Sequence, residues 1–115
     1  MDLKVINREI LLSFWKVHIL HHASEGQVIG NWMLEELRHH GYDVSPGTLY
    51  PLLKRMEKNG WLSSTVDENR GPKAPRSYTI TKDGREVLKI IRKQLRELGG
   101  ELERSSPHRS EEHTS

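Results

Sequence analysis

The chain contains no cysteine. That absence excludes disulfide frameworks, cysteine-ligated zinc, iron–sulfur clusters and thiol nucleophiles together, and it fits a cytoplasmic protein. No apolar run approaches the length of about 18 residues that a membrane-spanning helix needs. The opening MDLKVINREI has no basic segment leading into an apolar one, so no secretory leader is expected. The signatures of catalysis are missing as well: there is no phosphate loop, nucleophile elbow or metalloprotease motif. Glu35 and Glu36 are adjacent on a helical stretch and diverge, and Ser63 and Ser64 have no assigned base. An enzyme is not expected.

What remains is a polar chain of 115 residues, 34% hydrophobic and 30% charged, long enough for one small core. The net charge of +2 conceals a division. Residues 1–44 carry net −2, residues 45–96 net +7 and residues 97–115 net −3. A positive middle between acidic ends suggests a face for a polyanion.

The apolar pattern predicts a first helix from an Asn7 cap to about His22, free of Gly and Pro. It carries two apolar stripes. Ile10, Phe14, Val17 and His21, flanked by Leu11 and His18, form one, and Leu12, Trp15 and Ile19 form another roughly opposite. Two stripes imply burial against two bodies, the chain's own core and something else. A second helix is expected over Val28–His40, with Ile29, Trp32, Met33 and Leu37 inward and Gly41 ending it.

The third helix lies within Ser45–Asn59 and ends at Gly60. Pro51 favours a Thr48 cap, since a proline three residues into a helix loses no hydrogen bond. Leu49, Leu52, Leu53 and Met56 give this helix one narrow apolar back. Its front holds Gly47, Pro51, Lys54, Arg55 and Lys58, with Thr48 and Tyr50 at the edges. The period then changes to two. Trp61–Val66 and Arg76–Ile80 read as strands around a turn-rich loop that holds Gly71, Pro72 and Pro75. Thr81 caps a final helix with Leu88, Ile91, Leu95, Leu98 and Leu102 at steps of 3, 4, 3 and 4, the seam of a coiled coil. Gly99-Gly100 places its firm end near Leu98.

This order predicts a mainly α fold with a small β-hairpin: a winged helix-turn-helix over residues 1–81, a dimerisation helix over 82–103, and a disordered tail over 104–115. The third helix suits a DNA major groove, which is about 12 Å wide and admits one helix. Thr48, Tyr50, Lys54, Arg55 and Lys58 supply donors for phosphates or base edges. Arg70, Lys73 and Arg76, on or beside the loop, suit the backbone or the minor groove. Tyr78 is expected to pack in the sheet.

The stretch SPGTLYPLLKRMEKNGWL (Ser45–Leu62), a basic wing and SYTITKDGREVL (Ser77–Leu88) together resemble the PadR family of bacterial transcriptional regulators. The resemblance spans roughly residues 9–98, with the single C-terminal helix of the short-tailed branch. It implies a homodimer bound to double-stranded DNA at a pseudo-palindromic operator, repressing a nearby gene and released by a small-molecule effector. It also implies that the last helix, with the first, forms the dimer. On that basis Leu12, Trp15 and Ile19 are expected to pack on Leu88, Ile91, Leu95 and Leu98 of a second copy. Trp15 is the aromatic best placed for an effector. The last helix has no Trp, Phe or Tyr on which a planar drug could stack.

No cofactor or metal is assigned. His18, His21 and His22 have i, i+3, i+4 spacing, with His39 and His40 nearby, but no carboxylate completes a set beyond Glu25. Two alternatives stand beside DNA regulation: a winged-helix module that binds protein, and a metal or small-molecule sensor built on the histidines of the first helix.

Overall fold

The computed structural model describes residues 1–104. Helical backbone begins almost at once. The Asp2 carboxylate accepts the backbone N–H of Lys4 at 2.9 Å and caps α1 (Leu3–Ile6). A π turn, Asn7–Leu11, then leads directly into α2 (Leu12–Glu25). Asn7 is therefore not the cap expected from the sequence. A cap needs extended backbone, which Asp2 has (φ −97°, ψ 106°), whereas Asn7 is helical (φ −59°, ψ −47°).

Val28 and Ile29 do not open the second helix. They form a short strand, β1 (Val28–Ile29), paired antiparallel with Tyr78 and Ser77. Two β-branched residues favour an extended backbone, and a waiting sheet edge decides it. Helix α3 (Gly30–His39) follows and ends in a tight turn. There Gly41 N–H bonds Arg38 C=O at 2.9 Å, Tyr42 N–H bonds Leu37 C=O at 3.1 Å, and Gly41 takes φ +92° as the sequence predicts.

Helix α4 (Pro46–Lys58) starts earlier than expected. Its first bonds, from Thr48 and Leu49 N–H, both reach Ser45 C=O at 3.0 Å, so Ser45 rather than Thr48 is the cap and Pro46 takes the first helical position. Pro51 lies inside the helix and leaves Gly47 C=O without its usual donor. Both residues are exposed, so water can satisfy that carbonyl and the interior proline is tolerated.

Strands β2 (Leu62–Val66) and β3 (Arg76–Ile80) form the hairpin, with Leu62 opposite Ile80 and Val66 opposite Arg76. With β1 they make a three-stranded antiparallel sheet in the order β1-β3-β2. The Thr81 hydroxyl accepts Gly84 N–H at 2.9 Å and caps α5 (Lys82–Arg104), as predicted. Gly84 lies so close to the Trp61 carbonyl and the Ile80 side chain that a Cβ there would collide with both. Helix α5 runs through Gly99-Gly100 to Arg104 rather than ending near Leu98. Each glycine costs a helix about 1 kcal/mol, and the strong helix formers around the pair (Arg96, Glu97, Leu98, Glu101, Leu102) outweigh that. The expected tail lies outside the described residues, except for Arg104.

One core joins α2, α3, α4 and the sheet. Trp15, Ile19, Leu20 and Ala23 of α2 meet Met33, Leu34 and Leu37 of α3, Leu49, Leu52, Leu53 and Met56 of α4, and Val28, Val44, Leu62, Tyr78 and Leu88. The two stripes of the first helix exist, but their roles are exchanged. Trp15 (3% exposed) and Ile19 (0%) fill the subunit's own core, while Ile10 (53%) and Phe14 (40%) face outward. Trp32, expected inside, is exposed, and Leu34 takes the interior position.

Candidate nucleic-acid interface

Helix α4 is fixed from behind. Leu49, Leu52, Leu53 and Met56 are all buried, so the helix cannot roll on its bed. Thr48, Tyr50, Lys54, Arg55 and Lys58 all face outward and are exposed, as the sequence predicts. Among the described residues, none of the three cations lies within ion-pair distance of a carboxylate. Tyr50 is not a free rod, because its ring lies over Gly30, at the start of α3, where a Cβ would collide with it. Sequence reasoning missed Gly30. The only signal was a glycine at a helix start, where no turn requires one.

The wing is tied to the helix. The Ser64 hydroxyl of β2 donates to Glu57 Oε2 of α4 at 2.6 Å and accepts from Arg76 Nη1 of β3 at 3.0 Å. Arg76, expected to touch DNA, is thus engaged in a strut between α4 and the hairpin. Tyr78 is buried beside this strut as predicted; burial first, then the charge of Glu57, pushes its phenol above the usual 10.0. In the loop, the Asp67 carboxylate accepts Asn69 N–H at 3.0 Å and organises a short 3-10 turn, Glu68–Arg70. Arg70 and Lys73 stand exposed beyond it.

The residues expected at a dimer interface divide. Trp15, Ile19 and Leu88 are buried inside the subunit and have no surface to offer a partner. Leu12 and Ile91 are half-buried, and Leu95 and Leu98 are exposed, as are Leu102, Ile10 and Phe14. Phe14, Val17 and Leu95 line one hollow, so the outer stripe of the first helix borders the leucine seam of α5. Trp15 edges a separate hollow of about 450 Å³ with Leu12, Arg8 and Thr48, between the first helix and the start of α4.

The histidines are brought together more fully than their spacing suggested. His18 and His22 of α2 meet His40 at the end of α3, with one ring nitrogen from each within 4.8 Å of the others. The missing carboxylate is Glu36, whose Oε2 lies 3.2 Å from His40 Nε2 and 3.5 Å from His22 Nε2. The Tyr42 hydroxyl lies 3.2 Å from His18 Nε2. Burial first, then the neighbouring imidazoles His40, His22 and His21, lowers the His18 pKa below 6.5. For His22 burial again leads, followed by His21.

A three-helix unit with a cationic third helix, followed by a β-hairpin, defines a winged helix-turn-helix, a class of DNA-binding domain. Residues 19–90 match the model of the Transcriptional regulator PadR-like family, and the chain belongs to that family. Its members are DNA-binding transcriptional regulators and not enzymes. The chain is 45% identical over 95 residues to Transcriptional regulator Rv3488 of Mycobacterium tuberculosis, covering 83% of this chain and 88% of that one. In fold it is similar to a PadR-like transcription factor of Bacteroides fragilis (TM-score 0.72, 22% identity, 85% of this chain and 95% of that one). It is also similar to a PadR-like transcriptional regulator of Bacillus cereus (TM-score 0.69, 27% identity, 88% and 98%).

Proposed function

We propose that the protein is a homodimeric repressor that binds a pseudo-palindromic operator and leaves it when a small molecule binds. The observation that carries this reading is the outer face of α4: Lys54, Arg55 and Lys58, with no carboxylate at ion-pair distance among the described residues, on a helix locked by four core residues and strutted to the wing. In this reading Thr48, Tyr50 and Arg55 face base edges, with arginine able to fork onto guanine, while Lys54, Lys58, Arg70 and Lys73 hold phosphates. The dimer forms through Leu95, Leu98 and Leu102 of α5 with Ile10 and Phe14. At 23 residues, α5 is about 34 Å long, the scale of one turn of duplex between half-sites. The hollow beside Trp15 suits an effector, since a ligand there touches the first helix and Thr48 at the start of α4 together.

The test is Arg55→Ala with Lys58→Ala. Thermal unfolding should be unchanged, because both side chains are exposed. Operator affinity should fall, and the slope of log affinity against log salt should become shallower by about 1, because Lys58 leaves one phosphate without its cation while Arg55 leaves a base edge unread. Unchanged affinity across a salt titration rejects this face.

A further inference from the structure

We propose that His18, His22, His40 and Glu36 form a binding site for a late first-row divalent transition ion of the zinc type. His18 and His22 stand one turn apart on the same face of α2, and α3 brings Glu36 and His40, also one turn apart, against them. The Nε2 atoms of His22 and His40 both approach Glu36 Oε2, at 3.5 and 3.2 Å. Around a tetrahedral ion with bonds of about 2.0–2.1 Å, ligand atoms sit about 3.3 Å apart. Two of these separations already match. The three imidazole nitrogens, within 4.8 Å of one another, need to close by about 1.5 Å at most, which side-chain rotation supplies.

The donor set selects the ion. Three imidazoles and one carboxylate suit zinc, nickel, cobalt or copper(II). Magnesium and calcium want oxygen, and the softest ions want the thiolates this chain lacks. The Tyr42 hydroxyl reaches His18 at 3.2 Å, and the Trp32 ring stands edge-on to His22 with centroids 5.3 Å apart. His40 is exposed, which leaves an entry path. A bound ion joins α2 to the end of α3. From there the turn to α4 begins, held by Arg38 Nε on Val44 C=O at 3.1 Å. A rival trio, His21, His22 and Glu25, shares His22 but lies along a single helix with only two imidazoles.

The experiment is calorimetric titration of the full-length untagged chain with zinc chloride and, separately, magnesium chloride. His108→Ala and His113→Ala are present throughout to silence the remaining histidines at the C-terminal end. One zinc per chain and no magnesium are expected. His18→Ala and His40→Ala should each weaken zinc at least tenfold, Glu36→Gln about tenfold, and His21→Ala less than twofold. Zinc should also raise the melting temperature of the parent but not of His40→Ala, an exposed position where loss of folding is not expected. The proposal is overturned by zinc binding that survives both His18→Ala and His40→Ala, by loss that follows His21→Ala instead, or by magnesium binding equally well.

Discussion

Tyr50 owes its position on the outer face of α4 to a residue that has no side chain. Its ring covers Gly30, and any Cβ there displaces the ring rather than the backbone. Gly30→Ala is therefore expected to re-aim Tyr50 while changing stability by less than about 1 kcal/mol, since alanine also favours the helix. Operator affinity should fall by about 1 kcal/mol, the order of one hydrogen bond. Melting and DNA titration measured together check this, and an intact affinity removes Tyr50 from the interface. Tyr78 supports a prediction in pH. Its phenol is pushed above 10.0 by burial and Glu57, so above that pH the unfolded chain ionises first. Its contribution is fully present below pH 10 and is lost as the pH rises through the folded value. Denaturant unfolding on either side of pH 10 should show a smaller loss for Tyr78→Phe than for the parent. Tyr78 was legible in the sequence because strand alternation gives its side. Gly30 was not, because a close approach of two elements leaves no periodic trace.

Among the elements, the first helix shows where periodicity stops. Its two stripes are both apolar and both continuous, so a helical wheel finds them without saying which one meets the subunit's own core. The fold decides through Trp15 and Ile19, which sit on the face shared with Leu20 and Ala23. Trp15→Ala should cost about 3–5 kcal/mol of subunit stability in denaturant unfolding, and Phe14→Ala less than about 1 kcal/mol once subunits are separated by dilution. The reverse order would restore the arrangement expected from the sequence. Helix α4 and the hairpin were readable because each has one apolar side and clear stops. Strand β1 escaped because two residues are too short for any period to register. Gly84 holds the junction of α5 and the hairpin, and Gly84→Ala drives a methyl into the Trp61 backbone, which cannot yield as a side chain does. A loss of about 1–3 kcal/mol is expected from calorimetric melting.

At the scale of the whole molecule, the positive segment of the sequence becomes two separate devices. Its first half supplies the α4 face and the wing, and its second half decorates α5, whose seam has little to cover it within the subunit. Only Gly84 and Leu88 of that helix are buried, while Leu95, Leu98 and Leu102 remain exposed. The heptad was visible in the sequence, but the convergence of His18, His22 and His40 on Glu36 was not, because it depends on how α2 and α3 cross. Leu95→Asp with Leu98→Asp places two charges on the seam and none near α4. The single subunit should keep its melting temperature, since neither leucine fills the core, and sedimentation should report a monomer. Operator binding should then weaken by far more than tenfold without any change to a DNA-facing side chain. Two linked readers raise each other's effective concentration at adjacent half-sites, and separated ones do not. The same variant on a single half-site should bind as the parent does, which separates loss of linkage from damage to the reader. A variant that stays dimeric would move the interface away from α5 altogether.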